Sequence, residues 1–167
     1  MSDGAQDRAA ANEVRTYVER VRSRTGAYPG CAPEQALVYA CEDVVDSELG
    51  SPVLVQHQLT ALIEQICWRE DIEPPLVTRA RAGSFRASAD LATWTICFRE
   101  RVTTASVLLH EMAHLSVGAD SHGVLFRDEL VRLVRAHVSV QHAAMLHTLF
   151  AAVDLEMSPW PASAHRR

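Results

Sequence analysis

The chain has 167 residues, 48% hydrophobic and 22% charged, with a formal net charge of −5. That length supports one domain with a real core and is short for two, and the acidic balance argues against a nucleic-acid-binding surface. No stretch approaches the roughly 18 to 20 apolar residues of a membrane span, and the polar start from Met1 to Arg8 lacks a signal-peptide core, so a cytoplasmic protein is expected.

Taken in chain order, residues 1–12 are small and polar and read as a flexible N-terminal tail. Val14, Tyr17, Val18 and Val21 then recur at helical spacing among charged residues. Gly26 to Pro33, with two glycines and two prolines, reads as a loop. Leu37, Val38, Cys41, Val44, Val45 and Leu49 mark a second helix ended by Gly50 and Pro52. Leu59, Leu62, Ile63 and Ile66 mark a third, running to about Asp71 and closed by Pro74 and Pro75. Leu76 to Arg81 and Thr93 to Phe98 read as strands, with a turn-rich stretch (Gly83, Ser84, Asp90) between them and room for another strand around Ser84 to Ala87. Helical spacing returns from Thr103 to Val117. A loop, Gly118 to His122, precedes two further helices, about Val124 to His137 and Ser139 to Met157, and Pro159 and Pro161 end the ordered chain. This order predicts a single α+β domain over residues 13–157 with a C-terminal tail over 158–167: helices, a small mixed sheet, then helices.

The chemistry is concentrated in His110-Glu111-Met112-Ala113-His114. Residues four apart lie one helical turn apart on one face, so both imidazoles can reach one metal ion. Glu111, on the neighbouring stripe, can hold a metal-bound water without ligating the metal. Leu108, Met112 and Leu115 with Ala105, Leu109 and Ser116 form the opposite, apolar face. His122, after a glycine-containing turn, is the first candidate for a third ligand. Asp120 is its rival, as ligand, as a group orienting one, or as a cap of the following helix. Glu129 is a more distant alternative. Three ligands leave the open position of a catalytic zinc, so one Zn²⁺ per chain is expected.

His110-Glu111-x-x-His114 followed by His122-Gly123-x-x-Phe126 resembles the SprT-like branch of the zincin metallopeptidases, and a group of short actinobacterial proteins described as metallohydrolases. The resemblance is specific over about residues 93–130. It implies a zincin-like fold with His110, His114 and His122 as metal ligands and Glu111 as general base. It also implies Phe126 as a packing residue, and Thr93 to Phe98 as an edge strand beside the active-site helix that pairs with extended substrate. SprT-like proteins that cleave DNA-bound proteins usually add a zinc ribbon or a basic segment. This acidic chain has no CxxC pair, so the resemblance supports the metal site more than a DNA-repair role.

The reaction this predicts is hydrolysis of a peptide or other amide bond, with a dedicated tailoring hydrolase or a non-catalytic, metal-stabilised interaction module as alternatives. Arg127 is a candidate oxyanion donor, set against an ordinary solvated arginine. The sequence leaves the oligomeric state and the substrate open. His57, His137, His142, His147 and His165 lack ligand spacing and read as surface or interhelical residues. Trp68, Trp94 and Trp160 read as core or groove packing. Cys31, Cys41, Cys67 and Cys97 read as small residues of a reduced protein. Arg79, Arg81, Arg86, Arg99 and Arg101 read as a solvated strand face.

Overall fold

The computed structural model describes residues 3–80, 86–118, 120–160 and 163, with side chains from residue 12 onward. Helix α1 spans Asp3–Arg24. It reaches back across the segment that composition assigns to a tail, because Ala5, Ala9, Ala10 and Ala11 are strong helix formers. After a single 3-10 turn, α2 runs Pro33–Leu49, with proline in its first turn and Gly50 at φ 76° closing it. Strand β1 (Val53–Leu54) and α3 (Gln56–Glu70) follow, and Asp71 at φ 54° ends α3 ahead of the two prolines. Then come β2 (Leu76–Arg79), β3 (Ala87–Asp90), β4 (Thr95–Phe98) and β5 (Thr103–Thr104). Helices α4 (Ala105–Val117), α5 (Val124–His137) and α6 (Val140–Ala152) complete the order. The chain is mixed α+β, as its element order predicts.

The sheet order and the end of α6 also depart from expectation. The sheet order is β2-β4-β3, with β2 parallel and β3 antiparallel to β4. Thr93 to Phe98 is therefore the central strand, and the edge strand beside α4 is β3. Ala-Ser-Ala-Asp has little β propensity of its own; it is a strand because β4 pairs with it across a turn in which Asp90 accepts the Ala92 amide at 2.9 Å. The other is the end of α6. It stops at Ala152, Asp154 turns the chain at φ 65°, and the following segment runs back over α5, where the Ser158 amide bonds Asp128 at 3.1 Å. Arg81, Gly83, Ser84, Pro161 and His165 lie outside the described residues.

The core lies between the sheet and the helices. Ile96 and Phe98 of β4 meet Leu108, Leu109 and Met112 of α4, backed by Leu130 and Leu133 of α5, Leu149 and Phe150 of α6, and Val38 and Cys41 of α2. All four cysteines are free. Trp94 donates its indole N–H to the Glu73 carbonyl at 2.7 Å, and Trp160 packs against Arg135 and His147. Trp68 departs from the packing role expected of it: it is 83% exposed. Among the described residues, no helix is long and apolar enough to cross a membrane.

The start of α4 is clamped from three sides. β1 pairs antiparallel with β5, the Ala105 amide bonds the Pro52 carbonyl at 2.9 Å, and Thr104 accepts the Val107 amide as N-cap. The Ser106 hydroxyl donates to Asp46 of α2 at 2.6 Å. One turn further along α4, and one turn back along α2, Glu42 meets His110. The two helices thus run antiparallel with a polar seam between them, and that seam sets the rotation of the histidine face.

Candidate metal centre

The Nε2 atoms of His110, His114 and His122 form a triangle with sides of 3.1, 3.2 and 3.2 Å. Four ligands arranged tetrahedrally at about 2.0 Å from a zinc ion are separated by about 3.3 Å. The three imidazoles are therefore spaced to hold one such ion, and among the described residues they are the group of three or more candidate ligands so gathered. Hydrogen bonding between the rings accounts for only part of the convergence, since each Nε2 carries either one proton or one lone pair and three mutual contacts cannot all be donor–acceptor pairs. Nδ1 of His110 faces the Glu42 carboxylate at 2.9 and 3.1 Å. With its proton donated there, Nε2 presents a lone pair to its two neighbours. Three ring nitrogens pointed at one centre are best satisfied by a cation.

Burial sets the protonation of the three imidazoles. Desolvation pushes His114 down to about 4 and His122 down to about 3, with the His110 charge adding to both. Neutral imidazoles are what a metal needs. Desolvation also lowers His110, but the charge and hydrogen bond of Glu42 outweigh it and hold this residue above its ordinary value. Glu42 thus orients the ring and raises its basicity, the arrangement found behind metal-bound histidines. We expect Glu42→Ala to weaken zinc binding by about 10- to 100-fold, read by chelator competition. Unchanged affinity would remove Glu42 from the site.

Glu111 is buried beside the triangle, only 6% exposed. Desolvation pushes its carboxyl up to about 7, while the Ala89 amide of β3 favours the charged form. The Arg99 amide bonds the Arg86 carbonyl at 3.0 Å. Antiparallel pairs alternate, so Ser88 and Asp90 also turn toward β4, whereas Ala87 and Ala89 turn their backbone groups to the free edge. Glu111 therefore sits against the unpaired side of the sheet.

The loop carrying the third histidine explains His122-Gly123-x-x-Phe126. His122 adopts φ 66°, a left-handed conformation costly for a residue with a side chain. Arg127, 4% exposed, holds it by donating Nη1–H to the His122 carbonyl at 2.6 Å. Its Nε and Nη2 donate to the Glu156 carbonyl at 3.1 and 2.9 Å, tying the C-terminal segment to the ligand loop. Arg127 is accordingly buried rather than solvated and does not line the cleft: three of its N–H groups go to backbone carbonyls, and Nη1 lies 3.9 Å from the Glu34 carboxylate. Asp120 accepts the Phe126 amide at 2.9 Å and caps α5; it does not join the ligand triangle. A Cβ on Gly123 would lie 2.0 Å from the Asp120 carboxylate, so any larger residue there would push that carboxylate out of its present position. Phe126 packs beneath all three imidazoles, with ring centroids at 4.9, 4.3 and 4.8 Å. Glu129 is ion-paired to Arg132 at 2.8 Å.

His137, His142 and His147 fit the structural reading. His137 bonds Glu70 at 3.0 Å, His142 the Gly50 carbonyl at 2.8 Å, and His147 the Ser158 carbonyl at 3.0 Å. On the side of α4 facing α2 and β3 lies a cleft of about 490 Å³, lined in part by Tyr39, Glu42, Ala87, His110 and Glu111. Comparison of the chain with protein-family models, with curated proteins and with solved structures returned no match in any of the three.

Proposed function

We propose that this protein is a zinc-dependent hydrolase of peptide or other amide bonds, similar in its chemistry to the SprT-like zincins. The observation that carries the reading is the triangle of imidazole nitrogens with a buried glutamate on the adjacent position of the same helix. Structural zinc sites are usually closed by four protein ligands, whereas three leave a position for water or substrate. That favours catalysis over a metal that only stabilises the fold. Zinc held there supplies Lewis acidity and brings the pKa of a water from about 15.7 toward about 7.

The chain's own residues do the rest. Glu111 takes a proton from the attacking water and returns it to the leaving nitrogen as the C–N bond breaks. The free side of β3 offers the main-chain groups of Ala87 and the Ala89 carbonyl to an extended substrate, the Ala89 amide being taken by Glu111. The cleft gives that substrate a wall formed by α2. A peptide is thus the fitting partner, and the net charge of −5 gives no support to nucleic acid as one. The test is metal analysis of protein purified without chelators, followed by digestion of casein and of a mixed fluorogenic peptide library. About one zinc per chain and chelator-sensitive cleavage are expected. Protein that neither carries nor takes up zinc would sink the proposal.

A further inference from the structure

Hydrolysis through a tetrahedral intermediate places negative charge on the former carbonyl oxygen, and a donor aimed at that oxygen supplies a large share of the rate. With Arg127 committed elsewhere, the polar seam on α2 contains the group best placed for this. Tyr39, Glu42 and Asp46 lie at i, i+3 and i+7, so all three face α4. Glu42 meets His110 and Asp46 meets Ser106. The Tyr39 ring stacks on His110 at 5.1 Å with an interplanar angle of 30°, and meets His122 edge-on at 5.3 Å. Phe126 covers all three imidazoles with a ring that has no hydrogen to offer. Tyr39, by contrast, lines the cleft together with His110 and Glu111.

Its hydroxyl has a proton to give. The oxygen accepts a hydrogen bond from Gln35 Nε2 at 3.1 Å, which occupies a lone pair and leaves the O–H without an acceptor among the described residues. Accepting from Gln35 also polarises the O–H and strengthens it as a donor. A tyrosine phenol ordinarily titrates at about 10, so the hydroxyl carries its proton at neutral pH. The arginines nearest α2 in the cleft, Arg24 and Arg86, are held by Asp43 at 2.8 and 3.1 Å.

We propose that Tyr39 is the oxyanion-stabilising residue of this site, donating a hydrogen bond from its hydroxyl to the carbonyl oxygen as the tetrahedral intermediate forms. This rests on the hydrolase reading above. Water forms the new C–O bond and passes a proton to Glu111, and the carbonyl π pair moves onto its oxygen. Tyr39 donates a hydrogen bond to that oxygen and keeps its own proton. On collapse the C–N bond breaks and the Glu111 proton goes to the amine.

Tyr39→Phe removes one oxygen and keeps the ring on His110. Expected are wild-type zinc content and zinc affinity, a kcat lowered about 10²-fold or more, and a nearly unchanged KM on the fluorogenic peptides. Affinity of the zinc-loaded protein for a phosphinic Ala–Ala pseudodipeptide, which carries the tetrahedral anion permanently, should fall by a similar factor. A purely structural role would instead move zinc affinity and Tm and leave the phosphinate comparison flat. Wild-type kcat and wild-type phosphinate affinity in Tyr39→Phe would overturn the proposal. Zinc-loaded wild type that cleaves no peptide counts against the hydrolase reading, while the phosphinate comparison still decides whether Tyr39 donates to a tetrahedral anion.

Discussion

Glu111→Gln should keep its zinc and lose its chemistry. Glutamine has nearly the shape of glutamate, and its side-chain oxygen can still accept the Ala89 amide that faces the carboxylate. It cannot accept a proton from water or carry one to a leaving amine. General acid–base catalysis contributes about 10²- to 10⁴-fold, so a drop of about 10³ in kcat, or about 4 kcal/mol in the barrier, is expected at unchanged zinc stoichiometry. Added zinc should not restore the rate. The Glu42 variant behaves in the opposite way, since its defect lies in affinity and excess zinc should recover much of its activity. A Glu111→Gln protein that cleaves peptides at the wild-type rate would remove Glu111 as the base.

The parts of the site legible in the sequence are those set by local geometry. His110 and His114 meet because a helix turns once in about four residues, and nothing distant is needed to align them. His122 is legible because the chain must reverse between two helices, and Gly123 follows it. The reason for that glycine is not local to it: the Asp120 carboxylate occupies the space where a Cβ would stand. Tyr39 and Glu42 are harder to read because their meaning depends on α4, far along the chain. Apolar periodicity explains α2 through Val38, Cys41, Val44 and Val45 and leaves the intervening polar residues as a solvated face. The available signal is that Tyr39, Glu42 and Asp46 share one stripe of a helix whose middle is otherwise rich in buried apolar residues. A carboxylate on that stripe is a natural partner for the second nitrogen of a ligating histidine.

The sheet shows the converse limit. Thr95 to Phe98 alternates and carries aromatic and β-branched residues, so it is visible as a strand, but alternation does not reveal whether one or two neighbours pair with it. The small, polar β3 supplies the second neighbour and so takes the edge position beside α4. Arg127 shows the same limit from the side of charge. A lone arginine in an amphipathic helix reads as solvated, yet it is buried because the segment after α6 returns to place the Glu156 carbonyl against it. Neither pairing has a local sequence signature.

His122→Ala should separate the two readings of the ligand loop. Structural zinc sites with four ligands bind with about 10 to 16 kcal/mol, or roughly 3 kcal/mol per ligand, so losing one of three imidazoles should weaken zinc by about 10²-fold. Zinc at a hundred times its Kd stabilises a protein by about 2.7 kcal/mol, which for a domain of this length raises Tm by roughly 5 to 11 °C. The wild type should show that rise, and His122→Ala should lose most of it at the same zinc concentration. Asp120→Ala is the contrasting case. It removes the cap on the Phe126 amide, worth about 1 kcal/mol, and should lower Tm with and without zinc by similar amounts. If Asp120→Ala abolished the zinc-dependent rise while His122→Ala kept it, the third ligand would be the carboxylate and the triangle of imidazoles would not be the metal site.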